Sequence, residues 1–331
     1  MRKIMTTDFK LSILFSKLNE WIIAMERLGF YKKIVCIIAS LIFVLISHSA
    51  IAIEPGTNTP ATVSGDITPD PVGNFIVPSY QQPGPLISLG QTIVDKGVSQ
   101  IVLFGSYLNG NGQNYTAFAP EFIHGITDQL TFLFSSPYAV DFQQKGAHSS
   151  GFQDLDFQLE YAFYSKSTKT YTDTATVIGA VSLPTGSGTT NPPTGYGAVS
   201  YLIGGTFNRT YADWLGFVSG GVQLPTNHNG TKFGNSFLYQ GAIGKNISVI
   251  QSKWVFAWLV EVDGTYSKRN QINNIVQHNS GGNTIYVTPS LTLSSKSMYW
   301  QLGIGVPVVQ NLYGNQPKNN YSVSADITIN I

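Results

Sequence analysis

Asn320-Tyr-Ser-Val-Ser-Ala-Asp-Ile-Thr-Ile-Asn-Ile331 alternates without a break. Tyr321, Val323, Ala325, Ile327, Ile329 and Ile331 are apolar, and Asn320, Ser322, Ser324, Asp326, Thr328 and Asn330 between them are polar. Successive side chains on a strand point to opposite faces, so this segment is a ribbon with one greasy and one wet side. A sheet in water can use such a strand too. What lies upstream decides between the two settings.

Residues 34–46 are almost wholly apolar, Lys32 and Lys33 precede them, and Ala50-Ile51-Ala52 offers a small-x-small cleavage site. A charged start, a short apolar core and a peptidase site make a secretory leader over 1–52. A membrane helix is the alternative, but that needs about 20 apolar residues, and Ser40 interrupts a shorter core. Residues 1–24 carry their own mixed charges, so the natural start falls at Met25 and the mature chain is expected to begin at Ile53. A chain that closes on an alternating strand after such a leader is expected to be a β-barrel of the outer membrane of a Gram-negative bacterium.

Composition agrees. The one cysteine, Cys36, lies within the leader, which excludes disulfides, thiolate catalysis and cysteine-held metal from the mature chain. Of 19 basic and 18 acidic residues, seven and three precede Ile53, leaving 12 and 15, a net charge of −3. No basic surface for nucleic acid remains. No stretch after Ala52 is long and apolar enough for a spanning helix. Only helices and closed barrels satisfy the backbone in lipid, so a transmembrane antiparallel up-and-down β-barrel, all-β, is the expected fold class.

Residues 53–96 carry Pro55, Pro60, Pro69, Pro71, Pro78, Pro83 and Pro85. Proline fixes φ and gives no ladder donor, so this stretch reads as an irregular arm, either periplasmic or plugging the barrel. Barrel strands fill 97–331. In 152–163, Leu155, Phe157, Leu159, Tyr161 and Phe163 oppose Asp154, Asp156, Gln158 and Glu160. In 254–264, Trp254, Phe256, Trp258, Val260 and Val262 oppose Ala257, Glu261 and Asp263. Segments 284–293 and 298–306 alternate in the same way, and a helix would spread these apolar residues around its circumference. With weaker segments at 98–108, 114–124, 129–138, 172–183, 197–207, 213–223 and 233–245, about 12 strands are expected. Short links (125–127, 165–170, 209–212, 246–253, 294–297) alternate with longer or more polar ones (109–113, 139–151, 184–196, 224–232, 265–283, 308–319). Bacterial barrels have short periplasmic turns and longer outer loops, so both chain ends of the barrel are expected in the periplasm.

Several segments resemble one family. Gly125-Ile-Thr-Asp-Gln-Leu-Thr-Phe132, Gly151-Phe-Gln-Asp-Leu-Asp-Phe-Gln-Leu-Glu-Tyr-Ala-Phe163, Gly179-Ala-Val-Ser-Leu-Pro-Thr-Gly186 and the hairpin from Gly303-Ile-Gly-Val-Pro307 to Ile331 are similar to recurring turns and strand ends of the outer-membrane proteins named for the meta pathway of phenol degradation. Gln153 stands where that pattern has Gly, and Ile331 where such barrels end on Phe. The resemblance covers roughly 98–331 and implies a barrel passing small solutes, with hydrophobic or aromatic compounds as a candidate class. It carries over no residue-level transport motif.

Catalytic patterns are weak. His124, His148, His228 and His278 have no partner at metal-ligand spacing, no Gly-x-Ser-x-Gly elbow stands on a strand-to-helix turn, and Gly110-Asn111-Gly112 lacks a following phosphate-binding Lys-Ser/Thr. No enzyme activity, metal or cofactor is expected. The polar candidates are instead lumenal. Asp154, Asp156, Glu160, Glu261, Asp263 and Asp326, with Glu121, share the face opposite the apolar one. Charges on the lipid face are costly near the midplane. A negative lumen would favour cations; the other reading of these carboxylates is interior solvation and bonding to a plug. Tyr286, Tyr299 and Gln301 join them as candidate lumen-lining residues. Expected partners are outer-membrane lipid, the barrel-assembly machinery and a small solute. The function read from sequence is passive or facilitated passage; the alternatives are a closed structural or adhesive barrel and, third, an outer-membrane hydrolase.

Overall fold

The computed structural model describes residues 68–90 and 93–331. The leader over 1–52, the start at Met25, the cleavage after Ala52 and the first part of the 53–96 arm lie outside the described residues.

Period-two sequence gives strands throughout. They are β1 (Ser99–Gly110), β2 (Gln113–Gly125), β3 in two pieces (Leu130–Ser135 and Tyr138–Gln144), β4 in two pieces (Ala147–Phe152 and Leu155–Ser167), β5 (Tyr171–Leu183), β6 (Ser200–Tyr211), β7 (Trp214–Pro225), β8 (Ser236–Ile250), β9 (Trp254–Ser267), β10 (Gly282–Ser294), β11 (Met298–Leu312) and β12 (Asn319–Asn330). Each pairs antiparallel with its chain neighbours. β1 also pairs with β12, from Gln100 opposite Asn330 to Gly110 opposite Asn319, with a register shift after Asn109. That pairing leaves no open edge. The fold is a closed antiparallel barrel of twelve strands, as the alternation predicts.

Turns at 126–129, 168–170, 212–213, 251–253 and 295–297 are short and gather at one end of the barrel, called periplasmic below. The other end carries connections at 184–199, 226–235, 268–281 and 313–318, and two tight tips at 111–112 and 145–146. Two of the longer connections meet in a small sheet of their own, where Thr231–Lys232 pairs with Gln271–Ile272.

The 139–151 stretch differs from its sequence reading as a loop. It is a hairpin, continuing β3 and β4 outward to a tip at Lys145-Gly146 whose φ angles are +51° and +83°. Two left-handed residues make the primed turn whose twist suits a two-residue hairpin. The break that imitates a strand end is Ser136-Pro137, since proline lacks the N–H that would extend the ladder. β8 likewise runs on to Ile250, past the expected link at 246, with a bulge at Ile247.

Burial follows the alternation. In β9, Val255, Ala257, Leu259, Glu261 and Asp263 are buried while Val262 and Tyr266 are exposed. In β11, Tyr299, Gln301, Gly303 and Gly305 are buried and Leu302 and Val306 are exposed. The outward set is a continuous apolar wall, with Ile203 at 60%, Val218 at 59% and Ile243 at 53% exposure. A wall of this extent is far above the apolar patches of a monomer in water. Tyr107, Tyr138, Tyr164, Trp214, Trp254, Tyr266 and Trp300 lie on this outward face, and Trp258 lies there at mid-strand.

Candidate functional site in the barrel lumen

The inward face encloses part of the proline-rich segment. Residues 68–90 and 93–98 contain two 3-10 turns, Gly73–Ile76 and Ser79–Gln81, and otherwise offer unpaired backbone groups. The wall satisfies several of those groups. At the periplasmic end, the Asn74 N–H donates to the Ala212 carbonyl at 2.7 Å and Gln81 Nε2 donates to Asn330 Oδ1 at 2.8 Å. The Ser294 hydroxyl donates to the Gln81 carbonyl. Higher up, Gln301 Nε2 donates to the Gly84 carbonyl at 3.1 Å. At mid-barrel the segment reaches its summit. Glu261 accepts the Leu86 N–H at 2.6 Å, the Ile87 N–H at 3.1 Å, and the Ser88 N–H and hydroxyl each at 3.2 Å. Gln240 Oε1 accepts the Leu89 N–H at 2.8 Å. The chain then returns to the periplasmic end, where the Val94 N–H donates to Thr131 Oγ1 at 2.9 Å.

Two apolar seats accompany these bonds. Leu86 lies against Gly303 of β11, where a Cβ would come within 2.7 Å of Leu86 Cδ2. Leu89 lies against Gly204 and Gly221, which face each other across β6 and β7. A strand glycine often marks close approach by another chain segment. Here three of them make that room.

The sequence-derived candidates fall into groups. Glu261, Asp263, Tyr299 and Gln301 touch the segment: Asp263 accepts the Ser88 hydroxyl, and the Tyr299 hydroxyl accepts the Gly84 N–H at 3.3 Å. Asp156 and Glu160 point inward and are held by neighbours, Asp156 by the Ser182 hydroxyl and Glu160 by Thr176 Oγ1 at 2.6 Å. Asp326 accepts from Thr328 Oγ1 at 3.0 Å, and the Tyr286 hydroxyl accepts from Asn319 Nδ2 at 2.5 Å. Asp154 sits apart. It lies at the break in β4 and accepts the N–H groups of Gly186 and Tyr196 at 3.0 and 2.8 Å, fixing the base of the 184–199 loop.

Space remains beside the segment. A cavity of about 460 Å³ lies between it and β1–β5, β11 and β12, lined by Tyr80, Phe104, Leu133 and Tyr299 and by the carboxylates Glu121 and Asp326. A second, of about 300 Å³, opens among the outer loops beside Tyr196, Phe233, Lys268 and Gln316. The two share no lining residue.

Sequence reading missed Leu86, Leu89 and their glycine seats. The available signal was an apolar run, Leu86-Ile87-Ser88-Leu89, inside a proline-rich arm, and glycines at inward positions of otherwise regular strands. The histidines do not converge. His124 bonds Ser99 at 2.8 Å on the outward face, and His148 meets Asp141 at 3.2 Å in the outer hairpin. Among the described residues no group of three or more His, Cys, Asp or Glu is placed to hold a metal ion.

Solved structures share this architecture. The crystal structure of an outer membrane channel from Pseudomonas putida F1 matches 72% of this chain and 97% of its own, at 14% identity and a TM-score of 0.61. Two porins are less similar: NanC at 12% identity and a TM-score of 0.44, over 70% of this chain and 100% of its own, and KdgM at 9% and 0.39, over 69% and 97%. The likeness to the first is one of fold, and it is the fold of an outer-membrane barrel. No protein-family model and no curated protein sequence matches this chain. The phenol meta-pathway resemblance therefore rests on the segments quoted above.

Proposed function

We propose that this chain is an outer-membrane channel for small solutes, held closed in the state described by residues 84–90. The observation that carries this is the contrast between the two faces of one closed barrel. The outward face is predominantly apolar, whereas the inward face carries the buried polar and charged side chains among apolar ones and surrounds a cavity of about 460 Å³. A polar interior with space left beside the segment is what passage of a small solute requires.

The carboxylates Glu121, Asp156, Glu160 and Asp326 face that interior, and no basic residue lines the larger cavity. With Glu261 and Asp263 they give the lumen a negative potential that favours cations. Tyr80, Phe104 and Tyr299 beside them support an aromatic or hydrophobic solute that carries a positive or neutral polar group. The apolar wall supports outer-membrane residence, and the leader read in sequence over 1–52, with cleavage after Ala52, supplies the route of export.

One observation favours a second reading. Three backbone N–H groups held by a single buried carboxylate make a firm attachment, which suits a permanently closed structural barrel. Single-channel recording in planar bilayers separates the two. A channel gives discrete conductance steps, at least after Glu261→Gln; a structural barrel stays silent in both forms.

A further inference from the structure

The second cavity, among the outer loops, lies apart from the segment that occupies the lumen. Its floor is a layer of inward-facing strand residues. Thr265 and Ser267 continue the inward row of Glu261 and Asp263 in β9. Ser236 stands in register between Ser267 and Gln223, and Thr284 stands opposite Thr265. Two residues of strand rise separate Thr265 from Asp263, so this layer lies about 7 Å beyond the contact of Asp263 with Ser88.

The walls are loop residues held in fixed places. The Lys268 N–H donates to the Asn235 carbonyl at 2.9 Å, and Asn270 Oδ1 accepts the Gly234 N–H at 2.9 Å. A Cβ on Gly234 would collide with the Lys268 carbonyl, so the loops over 226–235 and 268–281 close on each other through that glycine. Gln316 Nε2 donates to the carbonyls of Gly281 and Tyr313, each at 2.7 Å. The rings of Tyr196 and Phe233, from two different loops, meet edge-to-face with centroids 5.0 Å apart. Tyr196 nevertheless keeps 43% exposure, which leaves aromatic surface for an occupant.

What these groups offer is neutral. Among the described residues, the hydroxyls of Thr265 and Thr284, Asn270 Nδ2 and Gln316 Oε1 have no protein partner, so donors and acceptors are both free. No carboxylate lines the cavity, and its one cationic side chain, Lys268, belongs to an exposed residue. Hydroxyl and amide groups beside an aromatic pair suit a sugar ring, which carries hydroxyls round its rim and C–H groups on its faces. The cavity, about 300 Å³, is at the small end for a ligand site, which suits a single ring. We propose that it binds one neutral pyranose, its hydroxyls bonded to Thr265, Thr284, Asn270 and Gln316 and a C–H face against the Tyr196–Phe233 pair. This goes beyond the channel reading and needs only the fold of the outer mouth.

Saturation-transfer NMR on the full-length barrel, in an amine-oxide detergent free of sugar, tests the site. The probes are the methyl glycosides of glucose, galactose and mannose. Wild type should transfer saturation to the ring C–H protons of at least one of them, and not to sorbitol, which has the hydroxyls without the ring. Thr265→Val with Thr284→Val keeps the shape and removes two hydroxyls, and should weaken binding about tenfold. Phe233→Ala should weaken it as much, through loss of the ring contact. Phe237→Ala removes an outward ring from β8 and should leave binding unchanged. Heat-modifiable migration on gels certifies each variant as a folded barrel. No transfer to any of the three glycosides overturns the site, as does full binding by the double threonine variant or an equal loss in Phe237→Ala. Glucuronate bound more tightly than every neutral glycoside overturns the neutral class. The measurement needs no conductance, so its failure and that of the channel reading are separate results.

Discussion

The Leu86 N–H donates to Glu261 Oε1 over 2.6 Å, joining two buried groups that are 175 residues apart in the chain. Ile87 and Ser88 add two more N–H donors to the same carboxylate. Hydrogen bonds to an ionised group are roughly twice as strong as neutral ones, and a water-poor lumen strengthens them further. This single side chain accepts four hydrogen bonds from the 84–90 segment, more than any other side chain of the wall.

Glu261→Gln tests that attachment. The amide keeps the shape but loses the charge and one of two accepting oxygens, and it turns an NH2 toward backbone donors. A loss of about 2 kcal/mol is expected, from hydrogen bonds to a charged group at roughly 1.5–3 kcal/mol. The barrel itself stays folded, because the strand ladder is untouched. Limited proteolysis from the periplasmic side should cut residues 84–94 at least tenfold faster than in wild type. An unchanged cleavage rate would show that the segment is held elsewhere.

The seat of Leu86 gives an independent lever. A leucine at position 303 occupies the space now filled by Leu86 Cδ2, and such overpacking costs about 1–3 kcal/mol. Gly303→Leu should therefore loosen the segment as Glu261→Gln does. Adding Leu86→Ala should restore part of its protection, since it removes the colliding atoms. Two losses that simply add in this double-variant cycle would mean the residues are not in contact.

Acidity supplies a third handle at the junction of the segment with β1. Burial, and after it the Asp128 carboxylate, raises the Asp95 carboxyl above its ordinary range. The folded junction thus holds its proton more tightly than the unfolded chain. The stability this contributes is present at low pH and is lost as pH rises through the folded value. Asp95→Asn should then increase amide protection at Gly97 and Val98 at pH 7, with the difference closing toward about pH 4, where a free carboxyl titrates. Equal protection at both pH values would remove Asp95 from the account of the junction.

Much of the barrel was legible in sequence because period two is a property of each strand alone. Residues 254–264 and 298–306 state their two faces without help from neighbours, and short turns alternating with longer connections set the order. What escaped depends on long-range geometry. The hairpin over 139–151 was hidden by Pro137, which interrupts the ladder without ending the strand. The course of residues 84–90 was hidden because its partners are backbone groups of the segment itself, and Glu261 reads the same in sequence whether it faces water or three amides. Gly204, Gly221 and Gly303 were visible as residues, but not as seats.

Topology has its own test. The chain's one cysteine, Cys36, lies in the expected leader, so single cysteines placed elsewhere can be labelled on intact cells with an impermeant reagent. Positions 190, 230 and 275 should react, and positions 169, 252 and 296 should not. The opposite pattern would turn the barrel over.

Conductance with a salt gradient tests the central claim most directly. In planar bilayers, wild type should show rare or small openings, and Glu261→Gln with Gly303→Leu should give steady, discrete conductance with a reversal potential on the cation side. In that conducting form, replacing Asp156, Glu160 and Asp326 by their amides should reduce the cation preference. The difference should fade near 1 M salt, where the Debye length is about 3 Å. A folded, inserted barrel that stays silent in both wild type and the double variant would contradict the channel reading and leave the closed structural barrel in its place.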